Sequence, residues 1–429
     1  MKRVFAGSAW LALAALLFTG ASAMAAEQSQ PTSTGGGPAF DAETATRAYL
    51  ARVPPEKKAR SDAYFEGKYW LLLWEFLYVV AVAWMLLASG WSAKMRDRAE
   101  RIASGKPLQT FLYWAQYIVV TSLLLFPLTL YKGFFREHHY GLATQTFGPW
   151  MGDRLKELAI AVFLSGLAVM ALYGVLRRAP RTWWLWGSLT AILFFVLSTL
   201  IAPVYIAPLF NKYSRLEDER IRGPVLSLAR ANGIPARDIY VVDASRQTTR
   251  ISANVSGLFG TLRISLNDNL LKRCTLPEIE AVLGHEMGHY VLNHILKGIV
   301  FSAILIVIGF AVLRSAFEAV QRRYGGRWGV RGPGDVAGLP IFTILIASYL
   351  FVLTPVTNTI IRTQESEADM FGINASRQPD GFAEVSLKLG DYRKLEPGPL
   401  EEFVFYDHPS GRSRIFAAMR WKAENPAER

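Results

Sequence analysis

Two histidines four residues apart are the feature of this 429-residue chain that most clearly suggests a chemical function. They lie in the sequence HEMGH, where His285 and His289 flank Glu286. Residues four apart share one face of a helix, so the two imidazoles can bind one Zn²⁺ per chain. Glu286 is rotated away from that face, beside the metal, where its carboxylate can take a proton from a zinc-activated water. The alternative is a chance occurrence of this short pattern on an amphipathic helix.

A third ligand is expected on another element, because catalytic zinc sites use three protein ligands. Glu365 and Asp369 are one turn apart in IRTQESEADMFG, residues 361–372, and share a helix face. We assign Glu365 to the metal and Asp369 to the N–H of a ligating histidine, whose tautomer it would fix. The alternative is a solvated acidic helix start. His294 lies off the face of the HEMGH pair and is interpreted as a helix-end or surface histidine.

Local patterns predict the elements that must position these residues. Apolar spacing predicts a helix over residues 276–294, with Pro277 in its first turn. Strands are predicted at 239–244 and 263–267, and a further helix over 217–232. The HEMGH helix is therefore expected in a segment of soluble character, residues 211–297.

The rest of the chain is typical of a membrane protein. Hydrophobic residues make up 51% and charged residues 19%, against about 25% charged in soluble domains, and the mean hydropathy is +0.20. This balance excludes a disordered chain. Six apolar runs are long enough to cross about 30 Å of hydrocarbon, at 69–89, 111–131, 159–176, 183–205, 298–315 and 340–361. Glu75 lies inside the first run and is expected either to face a cavity or to reach water at the interface.

The net charge is +12, and the basic residues lie mostly in short loops between the apolar runs, which is typical of membrane topology signals. They form no stripe with interleaved aromatics, so no nucleic-acid partner is expected. The loops at 90–110, 177–182 and 314–338 fall on one side of six spans, and the positive-inside rule makes that side cytoplasmic. The zinc segment is then exported, on the periplasmic face of a bacterial inner membrane; the alternative is the cytoplasmic face. A single cysteine, Cys274, excludes a disulfide framework.

The N-terminus predicts the same orientation. Residues 1–26 have a basic end, a short apolar core and A-x-A spacing, which is typical of a signal peptide; the alternative is a first transmembrane helix. Residues 27–68 are predicted to be an exported linker and a juxtamembrane helix. The further predicted regions are four transmembrane helices (69–210), the zinc protease domain (211–297), two transmembrane helices (298–361) and the C-terminal part of the protease domain (362–429).

Three motifs together resemble those of the Ste24-type CAAX prenyl proteases, the integral-membrane zinc metalloproteases of the M48 group. The motifs are HEMGH, then R-x-x-E-x-x-A-D at Arg362, Glu365, Ala368 and Asp369, then H-P-x-x-x-x-R at His408, Pro409 and Arg414. The segment IAPLFNKY, residues 206–213, is also similar. The resemblance covers most of the chain from about residue 60, and the Arg- and Ala-rich sequence looks bacterial.

The resemblance implies a mainly α, polytopic membrane protein. Six to seven transmembrane helices would form a water-filled chamber, closed by an inserted α+β zincin-like domain. It implies His285, His289 and Glu365 as ligands and Glu286 as the catalytic base. It also implies that His408 and Arg414 line the site, with His408 helping to hold the oxyanion. From the residues alone, a surface position for His408 is equally consistent.

The sequence departs from the family at two points. The family has an Asn in N-A-x-x-x-G on the strand that pairs with substrate, whereas Ser252 stands at that position here. Asn254, two residues on, points to the same side of a strand and is a second candidate for substrate binding. The eukaryotic members face the zinc site to the cytosol, whereas the loops here predict the exported side.

The predicted function is a membrane zinc endopeptidase acting on a peptide or membrane-protein substrate in the lipid bilayer, related to CAAX-box protein processing. In a bacterium, prenylated substrates are not expected. One alternative is a heat-shock-type membrane quality-control metalloprotease. The other is a non-catalytic, zinc-stabilised chaperone or transport scaffold, which would need the ligands but not Glu286.

Overall fold

A computed structural model describes residues 40–256 and 262–426. The predicted signal peptide or first transmembrane helix, residues 1–26, lies outside the described residues, as do residues 27–39 of the predicted linker. The helices, in chain order, are α1 (Ala42–Ala51), α2 (Pro55–Ala88), α3 (Trp91–Ile102), α4 (Lys106–His139), α5 (Phe147–Arg178), α6 (Trp183–Leu209), α7 (Glu219–Ala231), α8 (Asp268–Arg273), α9 (Leu276–Val291), α10 (His294–Trp328), α11 (Leu339–Ser376), α12 (Pro379–Leu389), α13 (Pro399–Phe405) and α14 (Gly411–Glu424).

Six helices of the described part are long and apolar enough to cross a membrane: α2, α4, α5, α6, α10 and α11. This confirms the polytopic architecture predicted from the six apolar runs. Large apolar side chains on these helices face outward, among them Leu123, Phe163 and Val352, which are 69%, 63% and 72% exposed. Such a surface is stable in lipid, where apolar side chains need no burial inside the protein.

The basic segments meet at one end of the helix bundle. Arg96 Nη1 donates to Asp335 Oδ2 at 2.7 Å, and Arg177 Nε donates to the carbonyl of Gly334 at 3.0 Å. Two of the predicted loops are largely helical, which corrects that expectation. Residues 90–110 contain α3, and α10 continues to Trp328. Arginine is a good helix former, so the helix extends past its apolar run through the basic residues.

A small sheet and the HEMGH helix lie between α6 and α10 in the sequence. The strands are β1 (Tyr213–Arg215), β2 (Ile239–Val242), β3 (Ala253–Ser256) and β4 (Arg263–Asn267), in the order β1-β2-β4-β3. β2 and β4 are parallel, and the other two pairs are antiparallel. β3 is therefore an edge strand. Ile264 and Leu266 of β4 pack with Leu283 and Met287 of α9 in one apolar core.

Helix α9 begins and ends at identifiable signals. Glu278 accepts a hydrogen bond from the backbone N–H of Thr275, in a capping box, and Pro277 lies in the first turn as predicted. The predicted end at residue 294 is wrong, because the helix stops at Val291. Asn293 then adopts a left-handed conformation with φ 56°, which Asn tolerates better than most residues, and α10 starts at His294.

Candidate metal centre

Close packing of α9 against α11 creates the site. A Cβ on Gly372 would lie 2.5 Å from the backbone nitrogen of His285, and one on Gly284 would lie 2.8 Å from the carbonyl oxygen of Gly372. On Gly288 it would lie 3.1 Å from the Cα of Ala368. The glycines thus let the two backbones approach, which brings the end of the last membrane helix beside HEMGH.

This approach brings together the three residues predicted to bind the metal. The Nε2 atoms of His285 and His289 are 3.1 Å apart. Glu365 Oε2 lies 3.2 Å from the first of these nitrogens, and Glu365 Oε1 lies 3.5 Å from the second. Zinc bonds of about 2.0–2.1 Å in tetrahedral geometry require ligand atoms about 3.3 Å apart. The cluster therefore has the dimensions of a zinc site.

The unsatisfied atoms of the cluster also fit a cation. Glu365 is 8% exposed, and its buried Oε2 atom has imidazole nitrogens near it but accepts no well-aligned hydrogen bond among the described residues. His408 Nε2 approaches the same oxygen to 3.2 Å. A buried carboxylate oxygen that lacks a partner is costly unless a positive charge satisfies it. Two imidazoles and a carboxylate suit zinc as that charge.

Asp369 lies behind the first histidine. Its Oδ1 atom is 2.7 Å from Nδ1 of His285. The same carboxylate accepts two hydrogen bonds from Arg414, from Nε at 2.9 Å and from Nη2 at 2.6 Å. Asp369 thereby favours the His285 tautomer with a proton on Nδ1, which leaves Nε2 free to bind metal. Arg414 contacts this carboxylate and also lines the cavity beside Glu286.

His294 is buried beside the HEMGH helix. It stands at a helix end, as expected, but it is 4% exposed, so the surface interpretation is wrong. Its Nδ1 lies 2.9 Å from Nδ1 of His289, and its Nε2 lies 3.0 Å from Glu367 Oε2. The turn at Asn293 folds the side chain back towards α9. The structure thus gives each HEMGH histidine a polar partner on the nitrogen that faces away from Glu365.

Burial and neighbouring charges perturb the titrating groups of α9. Burial raises the pKa of Glu286 to about 7. Burial alone lowers the pKa of His285, but the carboxylates of Asp369 and Glu365 outweigh it and raise that pKa to about 9. Burial, together with His285, lowers the pKa of His289 to about 4. A carboxylate whose pKa lies near neutrality is suited to accept and return a proton.

Glu286 and His408 lie on one cavity of about 160 Å³. His408 Nδ1 lies 2.8 Å from Asp407 Oδ1, which orients the ring. Arg362, from the predicted R-x-x-E motif, donates to the carbonyls of Glu402 and Tyr406 and so holds the segment before His408. The tail histidine is therefore at the site and not on a distant surface.

The two substrate-binding candidates occupy different positions. Ser252 directly precedes edge strand β3, is exposed and lines the Glu286 cavity. Its backbone exchanges two hydrogen bonds with Asn267, at 3.1 and 3.0 Å. Asn254 lies on β3 and lines a neighbouring cavity of about 400 Å³, as Ser252 also does. Ala253, which lies between them, lines the same cavity, so their shared expected direction stays a prediction.

A larger cavity lies between the membrane helices and the sheet domain. Its volume is about 740 Å³, and Glu75, Lys132, Arg154 and Arg250 are among its lining residues. Glu75 Oε2 accepts a hydrogen bond from Lys132 Nζ at 2.6 Å. Glu75 thus lines this cavity and pairs with Lys132, while its side chain remains 48% exposed.

Comparison with known proteins agrees with this architecture. Residues 215–422 match the model of peptidase family M48, and residues 42–212 match that of the CAAX prenyl protease N-terminal region with five membrane helices. The uncharacterized metalloprotease YhfN of Bacillus subtilis is 29% identical over 88% of each chain. CAAX prenyl protease 1 of Saccharomyces cerevisiae is 30% identical over 70% of this chain and 69% of its own.

The fold agrees as well. The crystal structure of S. mikatae Ste24p superposes with a TM-score of 0.70 at 23% identity, covering 88% of this chain and 95% of that one. Both halves of the chain thus match parts of one kind of enzyme, and the candidate metal ligands, on α9 and near the end of α11, all lie in the half that matches peptidase family M48. The chain therefore belongs to peptidase family M48, as a Ste24-type membrane metalloprotease.

Proposed function

We propose that this protein is a zinc endopeptidase that cuts peptide or membrane-associated substrates, with Glu286 as the general base. The observation that supports this best is the spacing of His285, His289 and Glu365. Their ligand atoms all lie within 4.8 Å of one another, and Glu286 lies beside them with a pKa near neutrality. When bound, zinc would polarise the scissile carbonyl and lower the pKa of a water.

The protein side chains would do the rest. Glu286 takes the proton of the attacking water on its carboxylate and returns it to the leaving amine. His408, oriented by Asp407, donates a hydrogen bond to the oxygen that becomes negative in the transition state. Asp369 holds His285 in the ligating tautomer, and Arg414 keeps Asp369 ionised through two hydrogen bonds.

Substrate is proposed to bind as an extended strand along β3. An edge strand presents unpaired backbone groups that an added peptide can pair with. Ser252 and Asn254 on this edge would contact the peptide, and the 740 Å³ cavity would hold flanking or membrane-embedded parts of it. Several relatives are named CAAX prenyl proteases, which supports a membrane-associated peptide or protein substrate.

The site is proposed to face the exported side of a bacterial inner membrane. The grouping of the basic segments at the end of the bundle that contains Arg96, Arg177 and Asp335 supports a cytoplasmic position for that end. Alkaline phosphatase fused after residue 100 should be inactive, and fused after residue 240 it should be active. The reverse pattern would put the zinc site on the cytoplasmic face.

The function itself is tested by comparing new protein N-termini in membranes that contain the wild type or the Glu286→Gln variant. The proposal predicts a set of N-termini that the wild type produces and the variant does not. A non-catalytic scaffold keeps its ligands but does not use Glu286, so it would give identical sets. Identical sets at equal expression would contradict the endopeptidase proposal.

A further inference from the structure

The cavity beside Glu286 has an apolar wall and one unusual cation. Its volume is about 160 Å³, and its polar lining includes Glu286, His408, Arg414 and Arg393. Liquid water occupies about 30 Å³ per molecule, so the space corresponds to a few waters and suits one amino-acid side chain. The apolar part of the wall includes Leu270, Val282, Phe382, Val385 and Leu389.

Arg393 differs from the other arginines near the site. Arg414 is neutralised by Asp369, and Arg250 Nη2 donates to Glu137 Oε2 at 2.5 Å. The Nη1 atom of Arg393 is buried and has no hydrogen-bond partner among residues 40–256 and 262–426. Asp407 and Glu365 act on Arg393 only through longer-range electrostatics, and like-charged Arg414 is also near.

The guanidinium of Arg393 is suited to bind a carboxylate. A guanidinium stays charged even when buried, and its planar fork matches a carboxylate with two parallel hydrogen bonds. A buried donor without a partner is unfavourable, and a group that enters the cavity and pairs with it recovers that loss.

We propose that Arg393 binds a carboxylate of the substrate residue that occupies this cavity, next to the scissile bond. This inference rests on the proposed endopeptidase function. The carboxylate comes either from the C-terminus of the peptide or from an Asp or Glu side chain. Both sources present the same planar anion to the guanidinium. Arg393 would therefore select where the chain is cut, and the chemistry would remain with Glu286 and the metal.

The test uses a library of short peptides and purified, zinc-loaded full-length protein. Each peptide is made as a free acid and as a C-terminal amide, and each position is occupied by Glu or by Gln in turn. Products are identified by mass spectrometry. For peptides with the carboxylate at one position, the kcat/KM of the wild type should be about 10- to 100-fold higher than for the neutral analogues. This ratio corresponds to the free energy that a hydrogen bond to a charged group contributes. The amide arm identifies a C-terminal carboxylate, and the Gln arm identifies a side chain.

Arg393→Gln should lose this preference and still cut neutral peptides at close to the wild-type rate. Arg393→Lys should retain part of the preference, because the charge stays but the fork is lost. Arg237→Gln is the matched control, since Arg237 is exposed on the segment before β2. Zinc content and melting temperature of each variant show whether it is folded.

Three results would overturn the inference. One is equal wild-type rates for charged and neutral peptides, which decides the matter even if Arg393→Gln does not fold. Another is an unchanged preference in folded Arg393→Gln. In both cases the endopeptidase function would still be supported if the wild type cleaves peptides and Glu286→Gln does not. If the wild type cuts no peptide and matches Glu286→Gln throughout, the proposed function fails and this inference fails with it.

Discussion

Replacing Asp369 by Ala should have two separable effects, because its carboxylate contacts both a metal-binding histidine and a buried arginine. Arg414 and Asp369 are 7% and 3% exposed, so they form a buried ion pair. Removing one partner of such a pair costs about 3–5 kcal/mol of folding stability. Losing the partner of a ligating histidine typically costs about 10- to 100-fold in metal affinity.

The two effects can be separated with a second substitution. In Asp369→Leu combined with Arg414→Met, no charge is left unpaired, so we expect most of the lost stability to return. The Nδ1 atom of His285 still has no acceptor, so the zinc affinity should stay low. Glu365→Ala should be far worse for the metal, since it removes a ligand and should leave the protein largely zinc-free at the same zinc concentration.

Chelator competition and thermal unfolding of the purified variants measure both quantities. The expected order of zinc affinity is wild type, then Asp369→Ala, then Glu365→Ala. If Asp369→Ala loses zinc more completely than Glu365→Ala, the roles of the two carboxylates have been exchanged. If the double variant is no more stable than Asp369→Ala, the unpaired arginine is not the source of the instability.

Three further predictions concern the surroundings of the site. Gly372→Ala would put a Cβ 2.5 Å from the backbone nitrogen of His285, so it should separate α9 from α11, reduce folding stability by more than the roughly 1–3 kcal/mol of ordinary overpacking, and abolish zinc binding. Gly298→Ala, whose Cβ would have nothing within 4 Å, is the control in a metal-content assay. A wild-type zinc content in Gly372→Ala would show that close packing at this glycine is not required for the site. His294→Ala should weaken zinc binding about 10-fold in chelator competition, and an unchanged affinity would show that His289 needs no partner. In the metal-free protein the pKa of His285 is about 9, so at pH 7 this side chain holds a proton that zinc must displace. The affinity for zinc should therefore rise from pH 7 to 9 and then level off. Calorimetry in buffers of different ionisation enthalpy should detect the released proton. A pH-independent affinity would contradict that pKa.

The sequence was most informative where function depends on local spacing. His285 and His289 share a face because of helical periodicity, and one turn likewise separates Glu365 from Asp369. The six apolar runs could be recognised by length alone. These features need no knowledge of the tertiary fold, and the structure brings the three expected ligands within bonding range of one ion.

The features that were missed depend on contacts between distant segments. A single left-handed residue, Asn293, ends α9 and turns His294 inward, whereas periodicity alone extended the helix. The glycines of α9 and Gly372 are explained by the approach of two helices that are far apart in the sequence. No local spacing in the sequence marks Arg393, which the structure places in the wall of the Glu286 cavity.

The most direct test of the central claim compares purified wild type with Glu286→Gln. Zinc per chain is measured by elemental analysis, and hydrolysis is measured on the same samples with a peptide that the wild type cleaves. The account predicts one zinc per chain in both and a turnover about 10²- to 10⁴-fold lower in the variant, because the amide cannot accept the proton. Undiminished turnover in a fully zinc-loaded Glu286→Gln protein would contradict the assignment of Glu286 as the base.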